Sequence, residues 1–196
     1  MAQLKFYYGT MGSGKTTELL KKYELHKKDG RNPIIIKPII DDREGSQQGW
    51  GKIKSRLIDN GDDAYYFKDI SKEVFPLEFD SLFVDEAQFL TERDVKLLEM
   101  VVMYTNRDVI CYGLERDVNN NIFEGAYHLM KESDTKEELK NKCQYGNCGC
   151  YATNHVRYVD GKLDIGTEPI VIEKGKVIYK SVCYRHWQQL RQNTRG

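Results

Sequence analysis

The chain has 196 residues and no net formal charge, with 40% hydrophobic and 31% charged residues. This balance suits a soluble globular protein that can bury a core, as one domain with an appendage or as two small domains. Without a basic surplus, a membrane-length apolar run or a signal peptide, we expect no nucleic-acid partner, no membrane partner and a cytoplasmic location, in the host cell if the protein is viral.

The first predicted elements are a strand, a glycine-rich loop and a helix. The apolar run from Leu4 to Tyr8 predicts a buried strand, and residues 16–28 predict a helix. The loop between them has the pattern G-x-x-x-x-G-K-[ST] of a phosphate-binding P-loop, in the context that makes such a match credible. Its residues are Gly9, Thr10, Met11, Gly12, Ser13, Gly14, Lys15 and Thr16. The glycines let successive N–H groups face one anion, Lys15 can reach the β- and γ-phosphates, and the Thr16 hydroxyl can hold Mg²⁺. The sequence therefore predicts binding of a nucleoside triphosphate.

A second strand and a long loop follow this helix. Ile34 to Ile36 predicts a strand parallel to the first, which completes a βαβ unit. Residues 38–62 are rich in Asp, Gly, Gln and Arg, and they predict a long loop that is either functional or disordered. Ala64 to Phe67 predicts a weak strand.

An acidic pair ends the next strand, which is predicted from Ser81 to Val84. Phosphoryl transfer requires Mg²⁺ beside the β- and γ-oxygens and a base for the attacking nucleophile. Because adjacent residues at a strand end point in different directions, we assign Asp85 to Mg²⁺, through water, and Glu86 to the general base. The pair does not distinguish water from an alcohol as the acceptor, and an exposed acidic pair without function is the alternative.

Three helices, a strand and a polar loop are predicted over residues 91–142. Residues 91–104 carry apolar residues at helical spacing, with Thr91 as the N-cap. Asp108 to Tyr112 predicts a strand in which Cys111 is a buried core thiol, and a polar loop runs from 113 to 121. A short helix is predicted over 125–130 and a charged helix over 135–142.

The chain changes character after residue 142. Short β-like runs at 155–159, 169–173 and 176–179 lie between two cysteine-containing segments, and a polar, frayed tail is predicted over 188–196. Four of the five cysteines follow position 140, and this odd total favours metal ligation over a disulfide framework. Three sulfurs and one nitrogen can form a closed, structural Zn²⁺ site; its predicted ligands are Cys143, Cys148, Cys183 and His186, with Cys150 as a competitor for one position. The remaining histidines, His26, His128 and His155, are expected at the surface or in satisfied core positions.

These elements predict an α/β fold of the P-loop, RecA-like kind, with a mostly parallel sheet flanked by helices. We expect a nucleotide-binding domain over residues 1–140, a zinc-ribbon β subdomain with a lasso loop over 141–190, and a tail over 191–196.

The ordered set of motifs resembles that of the type II thymidine kinases along nearly the whole chain. Its members are Met11 within the P-loop, Asp41-Asp42-Arg43 as D-x-R, Ser55-Arg56 as S-R, Asp85 to Phe89 as D-E-[AG]-Q-F, Gly113-Leu114 with Asp117 and Phe123, Cys148-Gly149 with Ala152 and Arg157, and Val171-Ile172 with Tyr179. The chain departs from the family pattern at Val118, where an aromatic residue is usual, and in the longer C-x₄-C spacing.

The resemblance implies transfer of the ATP γ-phosphoryl group to the 5′-hydroxyl of thymidine or deoxyuridine. It implies that Glu86 is the base and that Arg43 balances charge on the transferred group. The implied ATP and Mg²⁺ contacts are the P-loop with Asp41, Arg43, Asp85 and Gln88. The implied nucleoside contacts are Met11, Phe89, Leu114, Val118, Phe123, Ile170, Val171, Ile172, Glu173, Lys174 and Tyr179. A structural Zn²⁺, a homotetramer and feedback inhibition by dTTP are further implications.

Three other functions fit parts of the sequence. Asp85-Glu86-Ala87 also resembles a helicase box, but the chain is too short for two motor domains and lacks a basic surplus. A GTPase switch would need N-K-x-D, and Asn106-Arg107-Asp108 has the wrong spacing. A zinc-ribbon interaction module with a degenerate nucleotide site is disfavoured by the intact P-loop lysine and acidic pair.

Overall fold

The main sheet of the computed structural model contains seven strands within the described residues, which are 1–39, 49–52, 63–166 and 176–193. The strands are β1 (Leu4–Tyr8), β2 (Pro33–Pro38), β3 (Gly49–Lys52), β4 (Asp63–Phe67), β5 (Ser81–Val84), β6 (Asp108–Gly113) and β7 (Thr135–Glu138). Their order is β3-β4-β2-β5-β6-β1-β7, and every neighbouring pair is parallel except β3 with β4. The P-loop and the acidic pair follow β1 and β5, whose carboxyl ends lie at the same edge of this sheet.

Helices cover both faces of the sheet. They are α1 (Lys15–Lys28), α2 (Ile70–Glu73), α3 (Glu92–Thr105) and α4 (Glu124–Glu132). Alternation along β2 shows why two layers form: Ile35 packs in one core with Leu19 and Leu20 of α1, and Ile36 packs in the other with Leu98 of α3. The predicted cap of α3 is confirmed, since Thr91 and Asp94 form a reciprocal capping box.

A second, antiparallel sheet follows in the chain. It consists of β8 (Asn154–Val159), β9 (Lys162–Asp164) and β10 (Val177–Val182), in the order β10-β8-β9. Helix α5 (Tyr184–Asn193) leaves β10 directly, and its Trp187 and Leu190 pack against Val156 and Val182. The predicted α/β fold, with its mostly parallel sheet flanked by helices and its small C-terminal β unit, is confirmed.

Three local predictions are wrong. The predicted charged helix over 135–142 is instead β7, which pairs with β1 at the sheet edge and exposes all four of its residues. Strand β3 lies within the loop predicted over 38–62 and pairs with β4. The tail predicted as frayed from 188 is helical as far as Asn193. Other predictions fall outside the described residues, namely Asp41, Arg43, Ser55-Arg56, the strand 169–173 and the lasso positions Ile170, Val171, Ile172, Glu173 and Lys174.

Candidate active site

The P-loop curls between β1 and the start of α1. Gly12 and Gly14 have φ angles of 73° and 87°, a left-handed backbone that glycine adopts without strain. Lys15 folds back across the loop, and its Nζ donates to the carbonyls of Gly9 at 3.2 Å and Thr10 at 2.9 Å. Burial lowers the pKa of Lys15 to about 8, while the charges of Glu86 and Asp85 oppose the shift. The loop and the first turn of α1 therefore form a cationic cradle for phosphate.

Two oxygen groups that suit Mg²⁺ meet beside this cradle. The Thr16 hydroxyl, in the first turn of α1, lies 3.3 Å from Oδ1 of Asp85 at the end of β5. Asp85 is only 4% exposed, and burial raises its pKa to about 6, with Glu86 adding to the shift and Lys37 opposing it. A hydroxyl and a buried carboxylate at this spacing fit the preference of Mg²⁺ for oxygen ligands.

The carboxylate of Glu86 contacts two side chains, those of Gln88 and Lys37. Its backbone is left-handed, with φ of 54° and ψ of 38°. Gln88 Nε2 donates to Glu86 Oε2 at 2.5 Å, and Lys37 Nζ lies 3.9 Å from Glu86 Oε1 and 3.8 Å from Asp85 Oδ2. Gln88 is 2% exposed and accepts a hydrogen bond from the Leu114 amide at 3.0 Å. The carboxylate of Glu86 is thereby tied to the loop that follows β6.

That loop, residues 113–123, carries several of the predicted nucleoside contacts. Asp117 organises it by accepting hydrogen bonds from the amides of Asn119 and Asn121, both at 2.8 Å. At the end of the loop the rings of Phe89 and Phe123 pack edge to face, with centroids 5.7 Å apart. Val118 is buried, at 2% exposure.

The P-loop also contacts the second sheet. The Met11 carbonyl accepts hydrogen bonds from Asn141 Nδ2 at 3.2 Å and from the Ser181 hydroxyl of β10. Thr10 Oγ1 donates to Asn141 Oδ1 at 2.6 Å. The C-terminal unit therefore supports the wall of the phosphate cradle.

The four predicted metal ligands form one cluster. The ligand atoms of Cys143, Cys148, Cys183 and His186 all lie within 4.8 Å of one another. His186 Nδ1 lies 3.4 Å from the sulfurs of Cys143 and Cys183, and Cys148 lies 4.0 Å from Cys183. A tetrahedral Zn²⁺ with bonds of about 2.3 Å requires sulfurs about 3.8 Å apart, so the cluster fits a metal of this kind. Cys150 is exposed and lies outside the cluster, which favours the predicted ligand set without it.

Sequence reasoning assigned His155 to a satisfied position, and the structure differs. His155 is 3% exposed on β8, and its Nδ1 has no hydrogen-bond partner in the part of the chain that the structure describes. Burial, together with the charge of Lys15, lowers its pKa to about 4. It lines a cavity of about 400 Å³ between the P-loop start and residues Glu115 and Asn120. His26 is satisfied as expected, with Ser81 Oγ 2.8 Å from its Nδ1.

Other contacts at the site were missed as well. Lys37 lies near the end of β2, and its Nζ is close to the carboxylates of Asp85 and Glu86 in the folded protein. In the sequence, a single lysine after an apolar run is only a weak indication of such a contact. The side chains of Asn141 and Ser181 gave none, because their partner is a backbone carbonyl far away in the sequence. Cys111 is buried as predicted, and burial raises the pKa of its thiol.

These features define the class of P-loop α/β proteins, with two acids beside the loop and a Cys₃His cluster that could hold a metal ion. Comparison with known proteins narrows the class. The sequence profile of the family described as thymidine kinase matches residues 2–187. A protein named thymidine kinase from Streptococcus thermophilus is 36% identical over 196 residues, covering 95% of this chain and 94% of the relative. One of the same name from Aliivibrio fischeri is 35% identical, covering 96% and 98%. The chain belongs to the thymidine kinase family.

Among the described residues, none of the helices has the length and apolar character needed to span a membrane.

Proposed function

We propose that this protein transfers the γ-phosphoryl group of ATP to the 5′-hydroxyl of thymidine or deoxyuridine, which yields the monophosphate for pyrimidine salvage. The observation that carries the proposal is the convergence of two acids on the P-loop. Asp85 contacts Thr16, and Glu86 is directed by Gln88 toward the loop 113–123. These contacts support a division of roles in which Asp85 serves the phosphates and Glu86 the acceptor.

In the proposed reaction the 5′-oxygen attacks the γ-phosphorus while its proton passes to Glu86. The bond from the γ-phosphorus to the β–γ bridging oxygen breaks, and ADP leaves. Lys15 stabilises the charge that spreads over the phosphoryl oxygens, and Arg43 is assigned the same role. Lys37 and Gln88 keep the Glu86 carboxylate in place, since both contact it directly.

Thr16 and Asp85 would hold Mg²⁺, which when bound neutralises charge on the β- and γ-oxygens. The Cys₃His cluster would hold Zn²⁺ in a structural role, because four protein ligands leave no open position for water. The remaining P-loop residues, with Asp41, would complete the ATP site.

For the nucleoside we retain Met11, Phe89, Leu114, Val118, Phe123 and Tyr179, together with the lasso residues 170–174. The packing of Phe89 on Phe123 supports an apolar wall for the base. We further assign residues 1–140 to nucleotide binding and 141–190 to a zinc-binding subdomain; the tail predicted over 191–196 overlaps helix α5, which ends at Asn193. A homotetramer, feedback inhibition by dTTP and a cytoplasmic location complete the proposal, and each rests on family resemblance.

The alternative, a nucleic-acid-dependent ATPase, is not favoured. The family matched over residues 2–187 is that of the thymidine kinases, and a neutral chain has no charge surplus for a phosphate backbone.

One assay tests the proposal. The purified protein is incubated with labelled ATP and Mg²⁺ and each of the four natural deoxynucleosides plus deoxyuridine. We expect monophosphate from thymidine and deoxyuridine. Product from a purine nucleoside alone, or ATP hydrolysis that only DNA stimulates, would contradict it.

A further inference from the structure

Helix α5 contacts the loop 113–123 through the backbone of that loop. Trp187 Nε1 donates to the Val118 carbonyl at 3.1 Å. Arg191 Nη1 donates to Asn119 Oδ1 at 3.1 Å and approaches the Val118 carbonyl at 3.5 Å. Because every residue type has a carbonyl, these donors fix the path of the loop whatever side chain stands at position 118.

The face of α5 that makes these contacts is itself well braced. Tyr184, Trp187 and Arg191 lie three and four residues apart, so they share one side of the helix. The rings of Tyr184 and Trp187 stack with centroids 5.9 Å apart, and the Arg191 guanidinium lies 4.9 Å above the Trp187 ring. The helix begins directly after Cys183 and carries His186, so the metal cluster anchors its first turn.

The same stretch of the loop has two further ties to the C-terminal unit. Asn119 Nδ2 donates to the Gly166 carbonyl at 3.1 Å, and Asn154 Nδ2 of β8 donates to Asn120 Oδ1 at 2.7 Å. Asp117 holds the turn from within. Residues 118–120 are thus fixed from α5 on one side and from β8 and the end of β9 on the other.

We propose that Trp187 and Arg191 are positioning residues for the acceptor nucleoside. The inference rests on the proposed function, in which Leu114, Val118 and Phe123 of this loop contact the nucleoside. Both side chains hold the loop 113–123, whereas Asn141 and Ser181 support the P-loop. Loss of the α5 contact therefore weakens acceptor binding and leaves ATP binding unchanged.

The test uses Trp187→Phe, which keeps an aromatic ring in the stack and removes the N–H donor together with part of the packed ring area. We expect the thymidine KM to rise about fivefold, the effect of losing one hydrogen bond. The ATP KM and the bound metal per chain are expected to stay at wild-type values. Gln188→Ala is the matched control, since this exposed side chain on the same helix reaches back to Tyr184; it should change neither KM.

An unchanged thymidine KM in Trp187→Phe would overturn the inference. So would a parallel rise of both KM values or a loss of metal, because either would indicate general loosening rather than acceptor positioning. Should wild-type protein fail to phosphorylate thymidine at all, the proposed function fails, whereas an active wild type with an insensitive variant removes only this inference.

A second measurement keeps Trp187 in place, so it does not depend on how Trp187→Phe folds. The chain has two tryptophans, so Trp50→Phe leaves Trp187 as the sole indole reporter. We expect its emission to change when thymidine is added and to stay constant with ATP alone. Constant emission at saturating thymidine would overturn the inference.

Discussion

Glu86 has a backbone conformation that non-glycine residues rarely adopt, and its side chain contacts two neighbouring groups. The residue follows β5 in the left-handed region, and its carboxylate contacts Gln88 and Lys37. Such local strain persists where the surrounding structure over-determines it, often at sites of catalysis.

Replacing Glu86 with Gln tests its chemical role. The amide keeps the shape of the side chain but cannot accept the hydroxyl proton, and a positioned general base contributes on the order of 10²–10⁴ in rate. We expect kcat to fall by that factor with both KM values near wild type, in a steady-state assay. The control is Glu92→Gln at an exposed position of α3. It loses a surface ion pair with Lys96 and should retain activity. Wild-type turnover in Glu86→Gln would remove this residue from the base role.

His155 gives the protein a specific acid sensitivity. Its folded pKa of about 4 lies below the unfolded value of about 6.5. As the pH falls, the unfolded chain therefore binds the proton before the folded protein does. The contribution of the neutral His155 to the free energy of unfolding is complete above pH 6.5, and it is lost as the pH falls through 4. Across that window it amounts to about 3 kcal/mol at most.

The measurement is the unfolding free energy from urea titrations between pH 7 and pH 4. His155→Gln should lose less stability than wild type over this interval, because it has no imidazole to protonate. His128→Gln on α4 is the control and should keep the wild-type slope. Parallel curves for wild type and His155→Gln would show that His155 does not titrate as described.

At the residue scale, the sequence predicted those functional side chains that form short motifs along the chain. The P-loop, Asp85-Glu86 and the Cys₃His set were all found from local patterns. His155 and the partners of Met11 were not, because burial and long-range contact to a backbone carbonyl leave no local pattern.

Elements at the sheet edge were predicted less well than those in its centre. Apolar runs identified β1, β2 and β5, where burial on both faces requires such residues. Strand β7 has the sequence Thr-Lys-Glu-Glu and is fully exposed, so its charges suggested a helix. Charged residues on an edge strand oppose pairing with another chain, and here β1 and the bond from the Leu4 amide to Asp134 hold the strand in place. Helix α5 was missed because it is polar and none of its residues is fully buried, which leaves little apolar periodicity.

Helix α4 approaches the turn of residues 86–90 so closely that only glycine fits at position 125. A Cβ there would lie 2.4 Å from the Ala87 carbonyl oxygen and 2.8 Å from that of Leu90. Gly125→Ala would gain about 1 kcal/mol of helix propensity. Overpacking against rigid backbone costs about 1–3 kcal/mol, so it should outweigh that gain.

We expect Gly125→Ala to lower Tm and also kcat, since the turn that moves carries Glu86 and Gln88. Gly149→Ala is the matched control, because a Cβ there meets no atom within 4 Å. Calorimetry and steady-state assays check both variants. A higher Tm with wild-type kcat would show that the helix shifts without disturbing the turn.

In the whole molecule, the C-terminal unit supports the active site from two directions. Asn141 and Ser181 hold the Met11 carbonyl of the P-loop, and α5 holds the loop 113–123. The unit has few buried apolar residues of its own: Val156 and Val182 pack with the metal-binding sulfurs of Cys143 and Cys183. We therefore expect this small unit to depend on a bound metal for its folding.

Metal removal should therefore disable a site that contains no metal-binding cysteine. Structural Zn²⁺ contributes on the order of 10 kcal/mol to folding in small domains, far more than the few buried side chains here. We expect a chelator, or Cys148→Ser, to remove the metal, lower Tm and weaken both ATP and thymidine binding, because both supports are lost together. Metal analysis, calorimetry and binding titrations measure these effects.

Cys150→Ser is the matched control, since this exposed cysteine lies outside the cluster, and it should retain metal and activity. If stripped protein kept its Tm and its affinity for both substrates, the two supports would have to be independent of the metal.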